Sequence, residues 1–201
     1  MATSIRLPQQ KRSIEKRNRI IQKGFELICK EGYHRINTDD IAKYADVSTG
    51  TLYNYFQDKR DVFMQGIDIY APTILFPLEA EIEYFHFTTT TLKDSITHIV
   101  NYCIDVHEAS KHMHEEILSM SHSDETLANW IQDKELNIAK KIAETIAIEH
   151  PHILNLHEKV HIVMGLIENL CHEVVYHQHP ILNFDKMKTE TIQTIISIFN
   201  I

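Results

Sequence analysis

Apolar positions recur every three to four residues along almost the whole chain, and no stretch of strict apolar/polar alternation is long enough for a strand. The pattern predicts an all-α fold of about nine helices. From Ser13 to residue 31, Ile14, Ile21, Phe25 and Ile28 share one face, Arg and Lys fill the other, and Gly32 offers a stop. Thr38-Asp39-Asp40 supplies an N-cap and two first-turn acids for a short helix over 38–45. After Asp46-Val47, Ser48 caps a third helix over 49–55 that turns Leu52 and Phe56 inward. Lys59 opens a fourth, through Val62, Phe63, Gly66, Ile67 and Tyr70, and Pro72 and Pro77 predict a kink or break after it. Beyond Thr88-Thr89-Thr90-Thr91, further stripes predict helices over 92–108, 111–120 and 123–149, one with Pro151 in its first turn running to 177, and a last over 186–199.

Helices as short as 38–45 and 49–55 are poor in isolation because nucleation is costly, so they need a platform. Packed on Ile21, Phe25 and Ile28 they form a tri-helical helix-turn-helix, whose second short helix enters the major groove of DNA. That helix, Thr49-Gly50-Thr51-Leu52-Tyr53-Asn54-Tyr55, is crowded with hydroxyl and amide groups and has no acid, as suits phosphate oxygens and base edges. Gly50 leaves room for close backbone approach where free N–H groups favour an anion. Asn54 can bond adenine through two atoms and is the best candidate base reader.

Charge changes the picture only when divided. The 201 residues carry a net −8, which taken whole argues against nucleic acid. Residues 1–61, however, hold 12 Lys+Arg against 8 Asp+Glu (+4), and the remainder holds 8 against 20 (−12). The basic head therefore suits phosphate, while the acidic remainder weakly favours a neutral or cationic small-molecule effector. At 43% hydrophobic the chain can bury a core, and disorder is not expected. Its apolar runs fall short of a membrane span, and residues 1–20 are too polar for a signal peptide, so a cytoplasmic chain without a membrane partner is expected. Cys29, Cys103 and Cys171 are odd in number and widely spaced, which argues for small core residues and against disulfides or a thiolate zinc site.

Gly32-Tyr33, Thr38, Ile41-Ala42, Ala45, Val47-Ser48, Gly50-Thr51-Leu52-Tyr53, Tyr55-Phe56 and Lys59 together make residues 14–63 resemble the DNA-binding region of the TetR (tetracycline repressor) family. The resemblance implies that Thr38 and Tyr53 contact phosphate, that Thr49, Gly50, Thr51, Asn54 and Tyr55 face the groove, and that Lys59 holds a phosphate. Ser48, first a cap, joins that set. It implies a flexible basic arm (1–12), a helix-turn-helix domain (13–60) whose last helix continues to about 71, and a helical ligand-binding and dimerisation domain (72–201). It also implies a non-enzymatic repressor, without cofactor, released from DNA by a small molecule. Asp46 stands where the family commonly has Gly but tolerates a left-handed turn, and Pro72 interrupts a helix that family members usually carry further.

The stripes of the last two long helices (152–178 and 186–199) suit a four-helix interface in a two-fold homodimer, which expects a palindromic operator. Tyr102, His107, Met120 and Trp130 are amphipathic or polarisable groups suited to lining an effector cavity. The 14 His raise two rivals. One is a His-based metal-responsive regulator, from pairs such as His112/His114, His150/His152 and His177/His179. The other is a zinc peptidase through His157-Glu158-x-x-His161, which lacks the later Gly and His of metzincins.

Overall fold

The computed structural model describes residues 11–79, 82, 92–177 and 179–199. The arm before Lys11 and the Thr88–Thr91 run lie outside the described residues. Among those described there are nine α-helices and no strand: α1 (Lys11–Glu31), α2 (Thr38–Tyr44), α3 (Thr49–Tyr53), α4 (Lys59–Leu75), α5 (Leu92–Ala109), α6 (Lys111–Ser121), α7 (Glu125–Glu149), α8 (Leu156–His172) and α9 (Phe184–Phe199). No helix is long and apolar enough to cross a membrane.

The chain forms two compact units, one holding the described residues up to Leu75 with His112–Ala128, the other Phe76–Lys111 with those from Asn129 onward. In the first, α1 packs on α4 and α2 through Ile20, Ile21, Phe25 and Ile28, all at most 1% exposed. Two glycines set how closely these helices approach. A Cβ on Gly66 would sit 2.5–2.7 Å from Phe25, and one on Gly24 would sit 2.5 Å from Val62. Ile14, expected inward, is 41% exposed: the packed part of α1 begins only at Ile20, two turns further on. The buried Cys29 thiol is pushed up to about 12 by burial first and then by Glu116, which makes it a core residue.

In the second unit, α5, α8 and α9 share a core of Ile96, Val100, Cys103, Val160, Leu170, Cys171 and Ile195. Pro77 starts a 3₁₀ turn, Pro77–Glu79.

Of the expectations at prolines, the break falls after Leu75, just ahead of Pro77, and the one for Pro151 fails. α4 continues past Pro72 to Leu75, because a proline that near the end of a helix removes one hydrogen bond from its last turn only. Pro151 lies in the turn before α8 and not in its first turn; the chain first passes through Asn155, left-handed at φ 56°.

Candidate nucleic-acid interface

The short helices are fixed by local chemistry. Asn37, not Thr38, caps α2: its side chain accepts from the Asp40 N–H at 3.0 Å, and the Asp40 carboxylate accepts from the Asn37 N–H at 2.9 Å. The pattern Asn37-x-x-Asp40 is a capping-box signal legible in the sequence one place before the expected cap. Ser48 caps α3 as expected, accepting from the Thr51 N–H at 3.1 Å. Between them Asp46 is left-handed, φ 54°, so it does serve where glycine would be usual. α1 braces this turn, Arg19 donating to the Asp46 carbonyl at 3.2 Å, while Arg17 bonds Gln65 and lies over the Phe56 ring.

α3 is held by Leu52 and Phe56, both wholly buried. Its outward side carries Ser48, Gly50, Tyr53 and Asn54, all exposed, with Thr49, Thr51 and Tyr55 half-buried. The Thr49 hydroxyl donates to Asp39 at 2.7 Å, the Thr51 hydroxyl pairs with Ser48 at 2.8 Å, and the Tyr55 hydroxyl donates to Ser13 on α1 at 3.3 Å. Space around Gly50 is open: a Cβ there would meet nothing within 4 Å. Packing gives no reason for glycine at that position. α3 ends at Tyr53, two residues earlier than expected, with Asn54 as its C-cap.

Lys59 has a role the sequence did not suggest. Its ammonium donates to the carbonyls of Tyr33 at 2.7 Å and Ile36 at 2.9 Å and lies 4.4 Å from the centre of the Tyr33 ring. It therefore ties down the turn between α1 and α2. Next to it Arg60 forms a bidentate pair with Asp124 at 2.6 and 2.9 Å, a hydrogen bond that holds the Asp124 carboxyl below its ordinary range. Asp124 in turn accepts from the Leu127 N–H at 3.1 Å, and Glu116 accepts from the Tyr33 N–H at 2.6 Å. No local pattern points to partners 64 and 83 residues away in sequence.

The four residues expected to line an effector cavity are Tyr102, His107, Met120 and Trp130. Tyr102 stacks on His98 at 6.4 Å, Trp130 faces Phe76 at 6.1 Å, and His107 and Met120 are buried. The second unit holds an apolar cavity of about 40 Å³, lined by residues such as Ile96, Ile142, Val163, Ile167 and Phe199; none of the four lines it. His157, Glu158 and His161 are exposed on α8, and among the described residues no third His, Cys, Asp or Glu joins that histidine pair in ligand range.

Residues 20–65 match the family described as bacterial regulatory proteins, tetR family. An HTH-type transcriptional regulator of Staphylococcus aureus is 29% identical over 96 residues, 48% of this chain and 52% of that protein. The fatty acid metabolism regulator protein of Bacillus subtilis is 42% identical over 45 residues, 22% of this chain and 23% of that one. The chain thus spans about half the length of the first relative and less than a quarter of the second. Among solved structures, a Mesorhizobium loti protein assigned to the TetR family of transcriptional regulators superposes with a TM-score of 0.73 at 15% identity, covering 94% of this chain and 98% of its own. At that identity the likeness is one of fold.

Proposed function

We propose that this chain, which carries the helix-turn-helix domain of the tetR family of bacterial regulatory proteins, is a cytoplasmic, dimeric transcriptional repressor that puts α3 into the major groove of each half of a palindromic operator. The observation that carries this reading is Gly50, a helical glycine on the exposed side of a capped helix with nothing of its own protein to make room for. A bare backbone there lets α3 approach DNA closely. Gly50→Ala gains helix propensity, about 0.8–1 kcal/mol, so the fold should be at least as stable while operator affinity falls. Selection of bound fragments from random duplex by the intact protein should return an inverted repeat, with Gly50→Ala retaining thermal stability and losing affinity. Absence of salt-sensitive binding to any duplex would end the reading.

Dimerisation draws support from α8. Ile162 is 54% exposed, Leu166 is partly buried, and Gly165 between them leaves open space for a neighbouring helix. Ile162→Glu should yield monomers in sedimentation and weaken operator binding by about 10²–10⁴-fold, the advantage lost when two heads are no longer linked. An intact dimer in that variant would remove this face from consideration.

For the effector, the aliphatic lining of the cavity and the −12 balance beyond residue 61 favour an uncharged apolar molecule. The cavity is far below the ~300–1,000 Å³ of a ligand pocket, so occupancy requires its helices to part. A ligand that prefers the parted form shifts the population toward it, which is how binding would release DNA.

A further inference from the structure

Within the second unit, two imidazoles converge on one carboxylate. Glu168 and His172 lie one turn apart on α8, with Glu168 Oε1 3.1 Å from His172 Nε2. The other oxygen, Oε2, is 3.3 Å from Nε2 of His107, which α5 brings in, and a ligand atom from each of the three lies within 4.8 Å of the other two. A tetrahedral ion with bonds of about 2.0–2.1 Å has its ligands roughly 3.3–3.5 Å apart, and each imidazole nitrogen already stands 3.1–3.3 Å from one of the two carboxylate oxygens.

The orientation of His107 is also that of a ligand. Its Nδ1 lies 2.8 Å from the Cys103 carbonyl, and since a carbonyl only accepts, Nδ1 is the donor. That bond fixes the ring and directs Nε2 at Glu168, the arrangement in which a ligating histidine gives its other N–H to a backbone carbonyl. His107 is only 2% exposed, and the Tyr176 ring, 4.9 Å from that of His172, covers a second side of the cluster. α8 gives way to a π-helical turn at Glu173–His177, directly after His172, and such turns are frequent at functional sites.

We propose that His107, Glu168 and His172 bind a divalent first-row transition ion of the zinc class. Two nitrogens and one carboxylate oxygen suit zinc and its neighbours, whereas magnesium and calcium favour all-oxygen sets. This site is distinct from the second group, Glu173, His177 and His179.

The test is calorimetric titration of the intact chelator-treated chain with Zn²⁺, with circular dichroism confirming the fold of each variant. One saturable equivalent is expected. His172→Ala and Glu168→Gln, which alter the more accessible ligands, should each weaken it by more than about 100-fold, beyond the 10–100-fold typical of outer-shell changes. His177→Ala/His179→Ala should bind like the parent. In ¹⁵N spectra zinc should move Nε2 of His107 and His172 while the His107 Nδ1–H persists. No saturable equivalent, unchanged binding in folded His172→Ala and Glu168→Gln, or loss of binding in the His177/His179 variant would each overturn the assignment.

Discussion

Replacing Gly66 with alanine is expected to destabilise the first unit by about 1–3 kcal/mol, even though alanine is the better helix former. The new methyl would fall 2.5–2.7 Å from Cβ, Cγ and Cδ2 of Phe25, and only the ring can move away, because Cβ is fixed to the backbone of α1. Phe25 itself is 1% exposed and stacks on Phe63 at 5.7 Å and Tyr70 at 5.2 Å, so Phe25→Ala should cost about 3–5 kcal/mol. Combined, the two changes should cost less than their sum by about 1 kcal/mol or more. Removing the ring eliminates two of the three close contacts and leaves a cavity that the added methyl partly fills. Hydrogen exchange of the α1 amides reads this unit directly. Additivity within about 0.5 kcal/mol would mean that the separation of α1 and α4 is set by something other than this contact.

What the sequence made legible is what local chemistry decides. Ser48 as a cap, Asp46 as a left-handed residue and Leu52 and Phe56 as anchors each follow from one residue's own preferences and its place in a period. The match over residues 20–65 lies where those signals are densest. Assignments that depend on distant partners were not legible. Nothing local to Lys59 shows that its ammonium meets the carbonyls of Tyr33 and Ile36, and Arg60 has no visible partner until the chain returns 64 residues later with Asp124. The histidines show the same limit: spacing singles out pairs on one helix, whereas His107 meets Glu168 and His172 only because α5 packs on α8. α8 starts later than the spacing predicts because Pro151 satisfies a first-turn preference that the left-handed residue Asn155 overrides.

Asn54 and Lys59 should separate the two components of DNA binding. Asn54 is exposed at the end of α3, so Asn54→Ala should cost about 1–3 kcal/mol on the operator and leave affinity for random duplex and the salt slope unchanged. Lys59→Ala should weaken both kinds of duplex, and two effects add. One is loss of a phosphate contact through the third ammonium N–H, which lowers the salt slope by about one. The other is loss of the clamp on the turn before α2, which leaves the Tyr33 and Ile36 carbonyls without that donor and lets α2 and α3 shift against α1. Lys59→Met keeps the length of the side chain but neither the charge nor the donors, and so should resemble alanine. Lys59→Arg keeps the charge but cannot place one nitrogen between two carbonyls as an ammonium does, so it should restore the slope more fully than the affinity. Binding isotherms across a salt series for these variants decide the matter. If Lys59→Arg recovers operator affinity in full, the clamp is dispensable and Lys59 acts on phosphate alone; if it recovers neither slope nor affinity, the lysine serves the turn and not the DNA.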